Sequence, residues 1–261
     1  MPVSRINGVN INWRVVGDHG PWVAMTTGGR RGYDEFIPLA EKVAQYGFRI
    51  MLHDRRNTGA SDILIQGADG EEVIWTRDIH ALMSEHNALP AFFSGSSSGA
   101  RTSILFCLRY PRAVRGLLLL RVTGGAFAAG RLPEQYYGQY IRAAEQGGMA
   151  AICAMDQWRE RIEANAANGD YLARLPARQF IEVLTRWNDR GRAISGHGRE
   201  PGRAARRHGA DHHHPGQRQN ARARQRARGA PTHRGQCAAS IAHRGPRRAV
   251  DPVSAMEPIR A

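Results

Sequence analysis

Up to about residue 190, short apolar runs of strand length alternate with longer segments whose apolar residues recur at helical spacing. Alternation of strand and helix is typical of a mostly parallel sheet with helices on both faces, so the pattern predicts an α/β fold. The leucines at 117–120 fit a strand that is buried on both sides. Strands are predicted at 9–17, 22–27, 48–54, 91–95 and 114–122, and helices at 35–47, 75–88 and 100–111.

From residue 132 to residue 187 the pattern is helical and contains no clear strand. The simplest arrangement is a helical lid inserted after the fifth predicted strand. We therefore divide the chain into a core at 1–124, a helical lid at 125–190 and a C-terminal segment at 191–261.

The C-terminal segment has a different composition. Residues 193–248 contain no Leu, Val, Met, Phe, Tyr or Trp, so this stretch cannot build a core. They hold 13 Arg against Glu200 and Asp211, a net +11 out of the chain's +14, which leaves 14 − 11 = +3 elsewhere. One interpretation is a disordered basic arm that binds nucleic acid or another polyanion. The absence of an aromatic side chain to stack on bases makes nucleic-acid binding the weaker interpretation.

A second interpretation is that this segment is a coding region read out of frame. The single Lys among 37 basic residues indicates a GC-rich gene, which read off-frame yields Arg, Ala, Gly, Pro and His. If the reading frame is shifted by one base, the codons of residues 209–215 can encode Val-Pro, then four residues that must each be Thr or Ile, and then Pro. A Gly-containing turn follows, with an Asp in the place of Arg218. In this interpretation the C-terminal strands of the sheet are missing or disordered in the chain as written.

The stretch Gly95-Ser96-Ser97-Ser98-Gly99 lies between an apolar run and an amphipathic helix, and it fits the pattern GxSxG. In that setting a sharp turn from strand to helix lifts the central side chain above the sheet, beside N–H groups that stabilise negative charge. Ser97 is then a candidate nucleophile. A Gly/Ser turn without chemistry is the alternative, whereas a phosphate-binding loop is disfavoured because Ala100-Arg101 follows where Lys-Ser/Thr is needed.

Four segments stand in a characteristic order over about residues 5–190: INGVNINWRVVG, WVAMTTGGRRGYDEF, RIMLHDRRNTGASD, and GSSSGA followed by YPRAVRGLLLL. In this order they resemble the α/β-hydrolase superfamily. The resemblance implies the α/β-hydrolase fold, a serine hydrolase of esterase type acting on a small ester or related carbonyl compound, and no metal or organic cofactor. A non-catalytic member of the fold that binds a ligand or a protein is the alternative.

By position, the resemblance implies that Ser97 is the nucleophile and that the backbone N–H groups of Gly29 and Ser98 form the oxyanion hole. Thr27 stands where the superfamily usually has a histidine, which is a departure in the same loop. The segment that begins at Asp54 is expected to brace this loop rather than to take part in the reaction.

A serine needs a histidine to take its proton and an acid to orient that histidine. The resemblance implies the chain order Ser, acid, His, with the last two after the lid, between about residues 200 and 261. Neither residue is identified in the chain as written. His197, in SGHGRE, resembles the superfamily's Gly-His but precedes the expected acid strand.

The first 13 residues contain no uninterrupted apolar stretch of signal-peptide or membrane-span length, so we expect a cytoplasmic location and no membrane partner. The three cysteines lie far apart and none forms a CxxC pair, so no zinc site is expected. A small molecule is the expected partner, and neither its identity nor the oligomeric state is legible in the sequence.

Overall fold

The computed structural model describes residues 2–194 and 239–241. In this part of the chain the strands form one sheet in the order β1-β2-β4-β3-β5-β6-β7. Strand β2 is antiparallel to β1 and β4, and the remaining neighbours are parallel. The strands are β1 (Val3–Ile6), β2 (Val9–Val16), β3 (Trp22–Thr26), β4 (Arg49–His53), β5 (Ala91–Ser96), β6 (Val114–Leu120) and β7 (Ala239–Ile241).

The predicted α/β fold with a mostly parallel sheet is confirmed. The inner strands β3 and β4 are buried at nearly every position, as expected for strands covered on both faces. Strand β1 pairs with the start of β2 through the turn at Asn7-Gly8, both of which have positive φ values. Because φ is positive at both central residues, this turn suits Asn-Gly, the preferred sequence of tight hairpins.

Helices cover both faces of the sheet. Helix α1 (Ile37–Ala44) packs on one face around Met25, whereas α2 (Glu71–Glu85) and α3 (Ser98–Arg109) pack on the other around Phe93. These two apolar layers are separated by the sheet, as in a doubly wound α/β protein.

A helical lid follows β6, as the sequence predicts. It consists of α4 (Gly125–Pro133), a π-helix (Glu134–Gly138), α5 (Gln139–Ala154), α6 (Asp156–Ala164), α7 (Ala167–Arg174) and α8 (Ala177–Ile194). The lid has its own apolar core, in which Trp158, Phe180 and Trp187 are buried. Asn168 fastens it to the loop after β4, because its Oδ1 accepts the N–H of Ile63 at 2.7 Å.

An apolar groove of about 380 Å³ lies on the α1 face, beside β5 and β6. Phe92 and Leu118 project into it and are 36% and 42% exposed. The short strand β7 extends the sheet beyond β6 through parallel pairing with Leu117, Leu118 and Leu119. Helix α8 extends to Ile194, four residues beyond the predicted end of the lid. Residues 195–238 and 242–261, and with them most of the stretch on which the two interpretations rest, lie outside the described residues.

None of the helices within the described ranges is both long enough and apolar enough to cross a membrane.

Candidate active site

Two loops meet at the carboxyl edge of the sheet. Strand β3 has β4 on one side and β5 on the other. The strand order therefore reverses at β3, because the chain first adds β4 on one side and later adds β5 on the opposite side. In open α/β sheets such a reversal opens a crevice at the carboxyl ends of the strands, where ligands bind. Thr27, Gly28 and Gly29 follow β3, and Ser97 follows β5. A Cβ built on Gly28 would lie 3.3 Å from the Cβ of Ser97, so the structure brings these two loops into contact.

The backbone of Ser97 is in an unusual conformation. Its φ is 53° and its ψ is −112°, whereas residues other than glycine rarely adopt positive φ. The Ser97 N–H donates to the carbonyl of Leu120 at 3.0 Å, which ties the turn to the end of β6, and α3 begins at Ser98. Strained residues of this kind persist only where their surroundings fix them, and they cluster at functional sites.

The glycines on either side of the serines permit this turn. A Cβ on Gly95 would lie 2.3 Å from the carbonyl carbon and oxygen of Gly99, and a Cβ on Gly99 would lie 2.2 Å from the carbonyl oxygen of Thr26. Both contacts are with backbone atoms, which cannot rotate away. The first turn of α3 can therefore approach β3 and β5 this closely only because both positions lack a side chain.

We expect Gly99→Ala to lower the free energy of unfolding by about 1–3 kcal/mol, because the added methyl overpacks a tight contact. Gly130→Ala is a matched control, since Gly130 is also helical and a Cβ there meets nothing within 4 Å. Helix propensity favours alanine at both positions, so the control should be neutral or slightly stabilising. Urea unfolding followed by circular dichroism measures both changes; a Gly99→Ala protein as stable as the wild type would contradict the close contact.

The loop after β3 is held by Arg55. The Nη2 of Arg55 donates to the carbonyl oxygen of Gly29 at 2.7 Å, and the same oxygen accepts the hydroxyl of Ser98 at 3.1 Å. Gly29 itself has a φ of 56°. The hydroxyl of Thr27 donates to the carbonyl of Arg31 at 2.9 Å and so closes the loop from within. The two predicted oxyanion residues, Gly29 and Ser98, therefore lie side by side next to Ser97.

Asp54 lies behind this loop and organises it. Its carboxylate accepts hydrogen bonds from the side chain of Asn12 and from the backbone N–H groups of Tyr33 and Ala60, at distances of 2.7–2.8 Å. A Cβ on Gly59 would lie 2.3 Å from the Asp54 carboxylate, so a glycine is needed there. These bonds connect Asp54 to the segments around the site, which is the bracing role that the sequence analysis assigned to it.

A buried ion pair joins the loop to α2 and the lid. Arg30 donates two hydrogen bonds to Glu71, at 2.7 and 2.6 Å, and Glu71 also accepts from Asn57 and from the hydroxyl of Tyr137 in the lid. Burial is the largest single effect and raises the pKa of Glu71, but the charge of Arg30 and the hydrogen bonds from Arg30, Asn57 and Tyr137 together hold that pKa below its ordinary value. Arg55 lies nearby, 4.3 Å above the ring of Trp75.

A polar chain leads away from Ser97. Its Oγ lies 3.4 Å from Oγ1 of Thr123, which accepts a hydrogen bond from Arg101 at 2.9 Å, and Arg101 in turn is paired with Glu72 at 2.8 Å. Sequence analysis missed these residues. Thr123 could have been found from its position just after β6, since residues at the carboxyl ends of neighbouring strands meet at one edge. The Arg101–Glu72 pair joins α3 to α2, and no local sequence pattern predicts such a contact between residues that are far apart in the chain.

In the described part of the chain, no histidine forms a hydrogen bond with Ser97. His53 is buried at the end of β4, where burial first and the charge of Arg55 second lower its pKa to about 3. His80 packs against Tyr110, and His86 against Trp13. His197 lies outside the described residues, as does the region in which the acid and the histidine are expected. Across 2–194 and 239–241, no cluster of three or more His, Cys, Asp or Glu could hold a metal ion.

Comparisons with known proteins support the fold. No family model matches the chain. The uncharacterized hydrolase YraK of Bacillus subtilis (strain 168) is 29% identical over 114 residues, which span 44% of this chain and 41% of that protein. The match therefore covers less than half of the length of the curated relative.

Solved structures resemble more of the chain. A hydrolase from Pseudomonas aeruginosa PA01 has a TM-score of 0.50 and 17% identity, with 72% of each chain covered. The epoxide hydrolase VrEH1 from Vigna radiata has a TM-score of 0.50 and 14% identity, with 75% of this chain and 74% of that chain covered. At these identities the likeness establishes the fold.

Proposed function

We propose that this chain, which has the α/β-hydrolase fold, is a serine hydrolase that transfers the acyl group of a small ester or related carbonyl compound to water. The observation that carries the proposal is the backbone of Ser97, which has a φ of 53° at the junction of β5 and α3. That strand-to-helix turn is what a nucleophile elbow requires. In this proposal Ser97 attacks the carbonyl carbon, the ester C–O bond breaks, and the alcohol leaves, which produces an acyl-enzyme. Water then hydrolyses the acyl-enzyme to the free carboxylic acid and regenerates Ser97.

The oxyanion of the tetrahedral intermediate would be held by backbone N–H groups. Ser98 is the first residue of α3, so its N–H has no carbonyl partner within the helix. Gly29 lies on the adjoining loop, which Arg55 and the hydroxyl of Ser98 hold in place through the Gly29 carbonyl. Donors fixed in this way are worth about 3–4 kcal/mol of transition-state stabilisation each in well-studied hydrolases.

The proton of Ser97 needs an acceptor. The resemblance to α/β-hydrolases implies a histidine oriented by an acid, both on loops after the lid, and that region lies outside the described residues. Among the described side chains, Thr123 is the group within 3.4 Å of the Ser97 hydroxyl, and it is already bonded to Arg101. Arg101 reaches Ser97 only through Thr123. Its positive charge favours a partial negative charge on the Ser97 oxygen, but a guanidinium group cannot accept the proton.

A fluorophosphonate probe tests the proposal. We expect it to label the wild-type chain slowly on Ser97, as located by mass spectrometry of the digested protein, because backbone N–H groups of an oxyanion hole would stabilise the charge that forms on the probe's phosphoryl oxygen. Labelling should vanish in Ser97→Ala. Ser96→Ala is the matched control, since Ser96 is the preceding serine of the same turn, and it should be labelled like the wild type.

A non-catalytic protein of the same fold is the second candidate. It is favoured by one observation, that no histidine among the described residues contacts Ser97. An unlabelled wild-type chain, or labelling that persists in Ser97→Ala, would contradict the hydrolase and support this candidate.

A further inference from the structure

A cavity of about 590 Å³ opens between the lid and the core, next to the candidate oxyanion loop. Its lining includes Gly29 and Arg30 from that loop, and Tyr136, Gln157 and Arg161 from the lid. Because Gly29 is shared with the candidate oxyanion hole, a molecule in this cavity would adjoin that loop, although Ser97 itself is not among the lining residues. The volume is in the range of small-molecule sites in enzymes.

Arg161 is the unusual member of this lining. It is on α6, is 4% exposed, and its guanidinium carbon lies 4.9 Å from the ring centre of Trp158. Its Nη1 is buried and has no hydrogen-bond partner among the described residues. Arg30 also has a buried nitrogen without a partner, its Nε, but its guanidinium is paired with Glu71, and Arg31 is paired with Glu35. Among the arginines of the lining, Arg161 therefore differs in having no ion pair with a described residue.

A buried guanidinium without an anion is costly. Buried charges in proteins are normally paired, because removing them from water costs several kcal/mol that only an opposite charge and hydrogen bonds recover. Burial, and then the positive charge of Arg30, lower the pKa of Arg161 to about 10, so the group is still cationic at neutral pH. The acidic residue of the lining, Glu160, is solvent-exposed on the same helix and forms no ion pair with Arg161.

We propose that this cavity binds the carboxylate of an anionic substrate, with Arg161 as its counter-ion. A carboxylate matches a guanidinium in two parallel hydrogen bonds, and the pair is strong where water is excluded. The side chains of Gln135 and Gln157, which also line the cavity, add neutral polar groups around the charge. This inference rests on the proposed hydrolase function and narrows its substrates to esters that carry a carboxylate at the end remote from the scissile bond.

The test is a binding measurement that needs no turnover. We expect the full-length wild-type chain to bind glutarate at least tenfold more tightly than glutaramide, its neutral analogue of the same length, by isothermal titration calorimetry at physiological salt. Arg161→Gln should lose at least tenfold in glutarate affinity. Arg159→Gln is the matched control, because Arg159 is on the same helix but its side chain is 56% exposed and pairs with Asp156; its affinity should equal that of the wild type.

Equal affinity for glutarate and glutaramide, or unchanged glutarate affinity in Arg161→Gln, overturns the inference. If Arg161→Gln does not fold, as judged by circular dichroism, Arg161→Lys replaces it. Lysine keeps the charge but loses the paired donors, so we expect a severalfold weaker affinity, and an unchanged affinity again overturns the inference. The two proposals fail separately: selective glutarate binding without labelling of Ser97 contradicts only the hydrolase, and labelling without carboxylate selectivity contradicts only the Arg161 site.

Discussion

Restoring the reading frame across the Arg-rich segment is expected to raise the rate of ester hydrolysis by this chain about 10²–10⁴-fold, the usual contribution of a positioned general base. Ser97 lies at the turn from β5 to α3, and Thr123, not a histidine, is the described side chain next to its hydroxyl. The codons shifted by one base replace part of the polar tract with a β-branched strand and a turn that carries an Asp. That is the kind of segment on which the resemblance places the catalytic acid.

The measurement has two steps. Sequencing the gene across codons 185–261 should find a single-base insertion or deletion, and the corrected gene should then be expressed beside the original. We expect kcat/KM for 4-nitrophenyl acetate to rise in the corrected protein and to return to background in its Ser97→Ala variant. A gene without such a change excludes the frame hypothesis. A corrected protein that is no faster would mean that the base does not come from this segment.

The core of the fold is predictable because its signals are local and strong. Strands β3 and β4 appear as buried apolar runs, and α3 as an amphipathic segment, so periodicity alone places them within about two residues of their observed ends. Their order then implies a parallel sheet. Strand β1 is less visible by itself, since it is four residues long, and it became apparent only as part of the resemblance to a family.

The part of the candidate site that can be predicted from the sequence is the part formed by residues close together in the chain. Gly95, Ser97 and Gly99 belong to one turn, and their spacing alone is enough to predict a sharp strand-to-helix turn with Ser97 at its centre. The Arg30–Glu71 pair spans 41 residues, and the contact of Tyr137 with Glu71 spans 66, so neither leaves a pattern along the chain. The sequence also does not predict that Arg161 is buried without an anionic partner, because that depends on how the lid packs and not on the residues next to Arg161 in the chain.

Replacing Glu71 by glutamine is expected to lower the free energy of unfolding by about 3–5 kcal/mol, because it leaves the buried charge of Arg30 without compensation. The side chains of Arg30 and Glu71 are 7% and 0% exposed, so water cannot take over the lost interaction. Glutamine has nearly the same shape and can still bond Asn57, which isolates the effect of charge. Glu182→Gln is the control: Glu182 pairs with Arg178 on the surface, and such pairs contribute about 0–1 kcal/mol.

The pH dependence of this difference tests its origin. Burial, the largest single effect, raises the pKa of Glu71, but the charge of Arg30 and the hydrogen bonds to the carboxylate together place it below its ordinary value of 4.5 in the folded protein. A carboxyl group with a lowered folded pKa contributes stability that is fully present above the unfolded pKa and is lost as the pH falls through the folded pKa. The gap in unfolding free energy between wild type and Glu71→Gln, from urea titrations, should therefore be constant from pH 7 to about pH 5.5 and shrink at lower pH. A gap that does not change with pH in that lower range would mean that glutamine disturbs the packing of the lid against α2 and that the charge of Glu71 is not what stabilises the pair.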